Sequence, residues 1–298
     1  MTYEAFWKPL TQIYDAGEAK AVTRLVAEVH CGLTLADLLA GKEMTDVDGI
    51  HERLLSGEPV QYVLGEADFG PRRFIVTPSV LIPRPETYEL CKWIIKSEEL
   101  KVKSEELASL EKVKSEKCHV LDIGTGSGCI ACTLAAELPQ AQVTAWDISE
   151  KALEIASENA KRTHVHVSFE QVDILSPLTS HPLPPPIGGV RGGLLTIYDL
   201  IVSNPPYICE SEAAEMEPHV LNYEPAQALF IPNSDPLLFY RHIGNYAKVA
   251  LHEGGKLYFE INPRFCKDIE QLLSGQGFHD IQVRKDQFGK ERFISACK

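Results

Sequence analysis

From residue 118 onward, short continuous apolar runs alternate with segments in which apolar residues recur every three or four positions. The runs are typical of buried strands, and the spaced segments are typical of helices. In chain order the predicted strands are CHVLDIG, AQVTAWD, VHVSFEQVD, YDLIVSN, GGKLYFEI, DIQVRKD and ERFISAC. A predicted helix lies between each strand and the next, except between the third and fourth strands and between the last two strands. This order predicts an α/β fold: a mainly parallel, Rossmann-like, seven-stranded sheet with helices on both faces and an antiparallel finish.

The chain before this sheet has a different pattern. Residues 1–58 place apolar side chains such as Val22, Val26 and Val29 at helical spacing, which predicts a small helical domain. Residues 59–86 contain β-rich runs separated by Gly and Pro, which predicts a β-hairpin linker with its turn near Gly70-Pro71. The remaining residues, 87–298, are predicted to form the main domain.

Two stretches inside the main domain are interpreted as insertions. Residues 96–117 contain a short charged repeat, KSEELKV followed by KSEELAS, which favours a solvated helix. Residues 176–193, SPLTSHPLPPPIGGVRGG, are rich in Pro and Gly and favour a surface loop. A partner-binding helix and a polyproline ligand are the alternatives for these two stretches.

Composition excludes several classes of protein. The 298 residues are 44% hydrophobic, and no apolar run is long enough for a transmembrane helix. The N-terminus lacks the pattern of a signal peptide, so we expect a cytoplasmic location. A formal net charge of −13 argues against stable nucleic-acid binding. Cys129 and Cys132 form a CxxC motif, but the sequence has no second cysteine pair at the spacing of a zinc site. Both cysteines fit a buried helix, so we expect no bound metal.

A glycine-rich turn follows the first strand of the predicted sheet. In VLDIGTGSGCIA the glycines are Gly124, Gly126 and Gly128, so the spacing is GxGxG. The dinucleotide fingerprint GxGxxG would require its third glycine at residue 129, which is Cys129. Asp122 precedes the turn and would repel a pyrophosphate. The turn therefore favours a ligand with cationic groups, such as the sulfonium and amine of S-adenosylmethionine.

Acidic residues also end the next two predicted strands. Asp147 ends AQVTAWD, where a carboxylate can accept hydrogen bonds from both ribose hydroxyls. Asp173 follows VHVSFEQ and could accept from the adenine amine. Each acid alone could be a strand-end cap, but three at successive strand ends favour a cofactor site. The predicted cofactor-binding residues are Asp122, Gly124, Thr125, Gly126, Gly128, Asp147, Ile148, Asp173 and Asn204.

The sequence NPPY ends the fourth predicted strand. Asn204 offers a side-chain oxygen and Pro205 a backbone carbonyl, while Pro206 restricts the conformation of Pro205. Two acceptors side by side suit an NH₂ group that donates two hydrogen bonds. Tyr207 supplies a flat face for a planar group. We therefore predict that these four residues bind the substrate, with Asn204, Pro205 and Tyr207 as the catalytic residues.

At this point the chain resembles the protein-(glutamine-N5) methyltransferases that modify peptide release factors. The resemblance rests on GEPVQYVLGEADFGPRRFIVTPSVLIPRPET, VLDIGTGSGCIA, IVSNPPYI, YEPAQAL and KDQFGKERF. It implies a class I S-adenosylmethionine-dependent fold and methylation of the glutamine in the Gly-Gly-Gln motif of class I release factors. It also implies that the N-terminal helical domain helps to grip the release factor. We expect a monomer.

The resemblance further places Arg84 and Glu86 at the mouth of the active site, as substrate-binding residues. The alternative is that these two residues form a structural ion pair. Three positions depart from the usual family pattern: Tyr88 replaces an acid, Phe230-Ile231-Pro232 replaces Gly-Gly, and Asn262 replaces Gly. None of these departures falls in NPPY.

Other functions remain open on the sequence alone. A ribosomal-protein glutamine methyltransferase would use the same site. An adenine-N6 DNA methyltransferase shares NPPY, but should carry a basic recognition domain, whereas residues 1–58 have a net charge of −5, from five basic and ten acidic residues. A nucleotide-dependent oxidoreductase should contain the missing third glycine. A non-catalytic binding protein has no need of paired amine acceptors.

Overall fold

A computed structural model gives the structure of residues 1–108, 118–177 and 198–298, with only the backbone described for 100–108. The first predicted insertion begins within a long helix, Pro85–Ala108, and its remainder, 109–117, lies outside the described residues. Of the second insertion, 178–193 also lie outside them. Among the described residues, no helix is both long and apolar enough to span a lipid bilayer.

In the described part of the chain, seven strands form the central sheet. They are β3 (Cys118–Ile123), β4 (Ala141–Asp147), β5 (Val167–Gln171), β6 (Tyr198–Ser203), β9 (Leu251–Glu260), β10 (His279–Lys285) and β11 (Glu291–Cys297). Their order across the sheet is β10-β11-β9-β6-β3-β4-β5. Two short strands, β7 (Ile208–Cys209) and β8 (Phe230–Ile231), form a separate parallel pair. The pairs among β9, β6, β3, β4 and β5 are parallel, whereas β11 is antiparallel to both β9 and β10. The predicted sheet and its antiparallel finish are confirmed.

Helices cover both faces of this sheet, as predicted. The α-helices of the described residues are α1 (Tyr3–Leu10), α2 (Ala16–Val29), α3 (Leu35–Leu39), α4 (Asp48–Leu55), α5 (Val60–Leu64), α6 (Pro85–Ala108), α7 (Cys129–Glu137), α8 (Glu150–Arg162), α9 (Pro218–Tyr223), α10 (Ala226–Leu229), α11 (Leu238–Ala250) and α12 (Cys266–Gly275). Side chains of α6 and α7 pack in one buried cluster with Val120 and Val202, and those of α11 and α12 pack in another with Leu121 and Ile201. Neighbouring residues of β3 and β6 thus face opposite layers, which explains their continuous apolar runs.

The N-terminal helices have a hydrophobic cluster of their own. Phe6, Leu10, Val26 and Leu54 are fully buried in it. The helix starts are capped: Asp15 accepts hydrogen bonds from the first turn of α2, and Thr34 forms a capping box at α3. This cluster is separate from the two that cover the central sheet.

The segment 59–86 contains the predicted hairpin but differs from the prediction at both ends. β1 (Glu66–Phe69) and β2 (Arg72–Ile75) are antiparallel, and Gly70 and Pro71 form the turn between them. The segment begins, however, with helix α5, and α6 already starts at Pro85. The VQYVL stretch is β-rich in composition, but Pro59 at its start and a left-handed Gly65 at its end bound a helical turn.

The hairpin turn rests directly on α6. Gly70 has φ +60°, and a Cβ added there would lie 2.3 Å from the ring of Tyr88. The same ring contacts Phe69 edge-on at 5.3 Å between ring centroids. Position 70 therefore requires glycine for both its backbone conformation and its space.

Asn159 of α8 joins the hairpin to the loop after β3. Its side-chain oxygen accepts a hydrogen bond from the Ile75 amide at 2.6 Å, and its Nδ2 donates to the carbonyls of Ile75 and Ser127 at 2.9 Å each. Asn159 is fully buried. Removing it would leave three backbone groups without these partners: the buried Ser127 carbonyl and the partly buried amide and carbonyl of Ile75.

We predict that Asn159→Ala lowers the free energy of unfolding by roughly 3 kcal/mol, because buried polar groups left without partners are costly. Urea denaturation followed by circular dichroism measures the change. Asn245→Ala is the matched control, since Asn245 is exposed on α11 and accepts one side-chain hydrogen bond. An equal effect in the two variants would contradict the bridging role of Asn159.

Candidate active site

The register of the sheet brings the predicted motifs to one edge. Ile123 of β3 is paired with Trp146 on one side and with Ser203 on the other, and Ser203 is paired with Phe259 of β9. The residues that follow these partners along the chain therefore leave the sheet side by side. The Ser203 hydroxyl also donates to the Ile123 carbonyl at 2.6 Å, which fixes the two central strand ends together.

The glycine turn is held over the end of β4. The amides of Gly124 and Thr125 both donate to the Trp146 carbonyl, at 2.8 and 2.9 Å. Gly124 and Gly126 have positive φ, and a Cβ added at either would meet no protein atom within 4 Å. The space above the turn is therefore open, which suits a ligand that approaches the backbone closely.

Gly128 has a different function from the other two glycines. A Cβ there would lie 3.0 Å from the Cβ of Ala156, so this glycine allows α7 to start against α8.

Asp122 lies beneath the glycine turn rather than facing the open space. Its Oδ2 accepts from the Thr125 hydroxyl at 2.6 Å and from the Ala131 amide at 3.2 Å, and the residue has no exposed surface. Its Oδ1 has no hydrogen-bond partner among the described residues. Burial raises the pKa of this carboxyl to about 7. The structure therefore places Asp122 where it holds the glycine turn from below.

Asp147 and Ile148 border the open space. The two carboxylate oxygens of Asp147 accept from the amides of Gly126 and Ser149, each at 2.9 Å, which fixes the carboxylate and leaves further lone pairs. Burial raises the pKa of Asp147. Ile148 is 44% exposed, unusual for a large apolar side chain. An oriented carboxylate beside an exposed apolar surface fits a ribose with an attached base, so the residues present fit S-adenosylmethionine.

Asp173 follows β5, beyond Asp147 in the sheet. Its oxygens accept from the Leu175 amide at 2.9 Å and the Ser176 hydroxyl at 3.1 Å. These contacts are those of a turn cap, one of the two interpretations left open by the sequence. Lone pairs remain on both oxygens, and the side chain is half-buried.

NPPY borders a cleft of about 330 Å³. The cleft is lined by Leu81, Arg84, Asn204, Pro205, Tyr207, Ile208, Glu215, Met216, Glu217, Val220, Ala228 and Leu229. The lining is mainly apolar, with a few polar groups from Asn204 and from charged residues at Arg84, Glu215 and Glu217. A pocket of this type can bind the stem of a side chain while polar atoms orient its end.

A buried carboxylate that was not predicted lies behind NPPY. Glu260, at the end of β9, accepts from the Thr87 hydroxyl at 2.7 Å and from the Tyr207 hydroxyl at 3.1 Å. Thr87 in turn accepts from Nδ2 of Asn204 at 3.1 Å. Burial raises the pKa of Glu260. Glu260 ends an apolar strand, as Asp147 does, so the signal used for the cofactor acids was present in the sequence.

Arg84 and Glu86 do not form an ion pair with each other. Arg84 pairs with Glu224 at 2.5 Å, and the buried Glu224 carboxylate also accepts from the Ile82 amide at 3.2 Å. Arg84 lines the cleft, as predicted for the site mouth. The half-buried Glu86 raises the pKa of Glu260 through its charge, so it lies near the buried carboxylate.

Asn262, where the usual pattern has glycine, supports the NPPY turn. Its Nδ2 donates to the Tyr207 carbonyl at 3.1 Å and to Oε2 of Glu212 at 3.0 Å. This departure therefore adds contacts to the site rather than blocking it.

The two cysteines of the CxxC motif are buried. Cys129 and Cys132 are buried in α7, and burial raises the pKa of each thiol to about 12. Protonated thiols are poor metal ligands and poor nucleophiles.

Comparisons with known proteins identify the family. The family model described as a methyltransferase domain matches residues 114–273. The release factor glutamine methyltransferase of Bacteroides thetaiotaomicron is 41% identical over 96% of this chain and 95% of its own length. The chain belongs to the release factor glutamine methyltransferase family. Another member, from Flavobacterium psychrophilum, is 38% identical over 97% of this chain and 95% of its own length.

Solved structures agree on the fold of this family member. The human Mettl16 catalytic domain, solved in complex with the MAT2A 3′UTR hairpin 6, has a TM-score of 0.53 and 17% identity. The match covers 87% of this chain and 85% of that chain. Together with the match to the methyltransferase-domain family, this shared fold confirms the predicted class I methyltransferase fold, and the high identity to the family's members confirms the resemblance seen in the sequence.

For this methyltransferase we predict that Asp147→Ala weakens S-adenosylmethionine binding by roughly tenfold to a hundredfold, because charged hydrogen bonds to the ribose are lost. Calorimetry measures the affinity. Glu154→Ala is the control, since it removes an exposed acid from α8. Unchanged affinity in Asp147→Ala would contradict the ribose assignment.

Proposed function

We propose that the chain transfers a methyl group from S-adenosylmethionine to the side-chain amide nitrogen, N5, of the glutamine in the Gly-Gly-Gln motif of class I peptide chain release factors. The observation that carries this proposal is the pairing of Ile123 with Ser203, which sets NPPY beside the glycine turn. The near full-length similarity to release factor glutamine methyltransferases supports the choice of substrate.

The cofactor would be held by the residues around the open space above the glycine turn. Gly124, Gly126 and Gly128 shape the turn, Asp147 would accept from the ribose, and Ile148 and Asp173 would contact the adenine. Thr125 and Asp122 would act from below by holding the turn in place. When bound, S-adenosylmethionine supplies an electrophilic methyl group on a sulfonium centre.

Asn204 and Pro205 would overcome the weak nucleophilicity of an amide nitrogen, whose lone pair is delocalised into its carbonyl. The side-chain oxygen of Asn204 and the carbonyl of Pro205 would each accept one N–H of the glutamine NH₂. With both hydrogens directed at these acceptors, the lone pair points away from them toward the methyl group. The chain thus contributes mainly orientation and electrostatics.

The acceptors would also stabilise the positive charge that develops on nitrogen as the new C–N bond forms. The negative charge of the nearby Glu260 acts in the same direction, because little water screens a buried carboxylate. Once methylated, the cationic nitrogen is strongly acidic and loses one proton to water. No strong base is required before the attack.

The glutamine would enter through the cleft beside NPPY, with its stem against Leu229 and Val220 and the amide against Asn204. Arg84 and Glu86 would line the mouth. The helical segment 1–58 would grip the release factor, and the hairpin segment 59–86 would link it to the catalytic domain, 87–298. A release factor substrate implies action in the cytoplasm, and we expect a monomer with no direct stable binding to nucleic acid.

The decisive experiment uses purified chain, S-adenosylmethionine and a class I release factor from the same source. Mass spectrometry of the Gly-Gly-Gln peptide should show one added methyl, and a factor with glutamine replaced by alanine should show none. No methyl transfer to the factor would overturn the proposed substrate. Ribosomal proteins and adenine-containing DNA, assayed in parallel, test the two rival substrates.

We predict that Asn204→Ala raises the barrier to methyl transfer by about 2.7 to 4 kcal/mol, because one oriented partner of the nitrogen is lost. Single-turnover kinetics measures the rate, and calorimetry should show nearly unchanged cofactor affinity. Asn245→Ala serves as the control, because Asn245 is exposed and is not one of the residues that line the cleft. A normal rate in Asn204→Ala would refute its role in holding the amide.

A further inference from the structure

The three hydrogen bonds behind NPPY form a chain with a fixed direction. Glu260 as a carboxylate can only accept, so the hydroxyls of Thr87 and Tyr207 must both donate to it. The single proton of the Thr87 hydroxyl is then used, and toward Asn204 this oxygen can only accept. Asn204 must therefore present its NH₂ to Thr87.

This direction determines which end of the Asn204 amide faces the cleft. With Nδ2 bonded to Thr87, the oxygen is the end left to face the substrate. The reversed amide would direct NH₂ groups of enzyme and substrate at each other, and it would offer no acceptor to the glutamine. A terminal amide has the same shape in both orientations, so packing alone discriminates poorly between them. The hydrogen-bond partner must decide.

We propose that Glu260 and Thr87 are positioning residues that hold the Asn204 amide with its oxygen toward the substrate. Neither would touch the reacting atoms. Glu260 also holds the Tyr207 ring through its hydroxyl, so one buried carboxylate orients two of the residues that contact the glutamine. The catalytic part of this proposal rests on the proposed function. The orientation of the Asn204 amide itself can be measured without substrate.

Protonation of Glu260 would remove this control. A neutral carboxyl can donate to Thr87, which frees the Thr87 hydroxyl to donate to Asn204 and to reverse the amide. The charged group that favours ionised Glu260 is Arg292 of β11, and Glu86 opposes it. The other titratable groups that face Glu260 are the hydroxyls of Tyr207 and Tyr240 and the buried thiol of Cys91.

The pH dependence follows from these groups. Because burial raises the pKa of Glu260, methyl transfer should decline as pH falls through a value above that of an ordinary glutamate. Asp122 and Asp147 also have raised pKa values, so the rate is compared between variants at saturating cofactor. If the rate declines at low pH in the wild type but not in Glu260→Gln, the decline is caused by protonation of Glu260.

The kinetic test compares Glu260→Gln and Thr87→Val with the wild type on the Gly-Gly-Gln substrate. We expect kcat to fall by about 10²-fold or more in each, as for loss of one oriented donor or acceptor. Cofactor affinity and the thermal unfolding midpoint should stay near the wild-type values. Thr87→Ser keeps the hydroxyl and should restore most of the rate lost in Thr87→Val.

A neighbouring variant controls for general disturbance of the core. Tyr240 is buried and donates to the backbone carbonyl of Glu260 at 3.3 Å, and its hydroxyl forms no hydrogen bond with the Glu260 carboxylate. Tyr240→Phe should therefore keep kcat close to that of the wild type. A loss of rate in Tyr240→Phe equal to that in Glu260→Gln would show that any change around β9 matters, and would overturn the proposal.

A second readout follows the amide directly. The Nδ2 protons of Asn204 give a pair of NMR signals, assigned by their loss in Asn204→Ala. One of the pair should shift and exchange faster with solvent in Thr87→Val, but not in Thr87→Ser. Unshifted signals, or wild-type kcat in both Glu260→Gln and Thr87→Val, would overturn the positioning role. If the wild type itself fails to methylate the release factor, the substrate assignment is wrong, and the NMR comparison still decides the amide orientation.

Discussion

Parallel pairing of β3 with β6 is the constraint on which the site depends. Because Ile123 and Ser203 are partners in the sheet, the glycine turn and NPPY must begin at the same level. The Ser203 hydroxyl bond to the Ile123 carbonyl allows little relative sliding of the two strand ends. A shift of one residue would separate the cofactor from the acceptors and would also turn the buried side chains to the wrong face.

Much of this arrangement could be predicted from the sequence, because its causes are local. The strands could be recognised because both their faces are buried, which requires continuous apolar runs such as VLDI and LIVS. The acidic residues proposed to bind the cofactor could be placed at one edge of the sheet because each lies at or next to the end of a predicted strand. Helix α5 was not predicted because VQYVL is rich in residues that favour strands. This composition outweighed Pro59 and Gly65, the two residues that mark the start and the end of the helix.

Long-range partners account for what the sequence did not reveal. The sequence offered Glu86, two residues away, as one alternative partner for Arg84, whereas its partner Glu224 lies 140 residues further along the chain. Thr87 and Glu260 are separated by 173 residues, and nothing in either local sequence indicates that they meet. The direction of the Asp122 side chain likewise depends on contacts that a strand pattern does not show, namely its bonds to Thr125 and Ala131 beneath the turn.

The contact between Gly70 and Tyr88 has a consequence for how this enzyme can be recombined with its relatives. The ring of Tyr88 occupies the volume that any side chain at position 70 would need. A hairpin from a homologue with a larger residue at that position would collide with this α6, and an acidic residue at position 88 would remove the edge-on contact that the Tyr88 ring makes with Phe69. Chimeric enzymes should therefore exchange the hairpin and the first turn of α6 as one cassette.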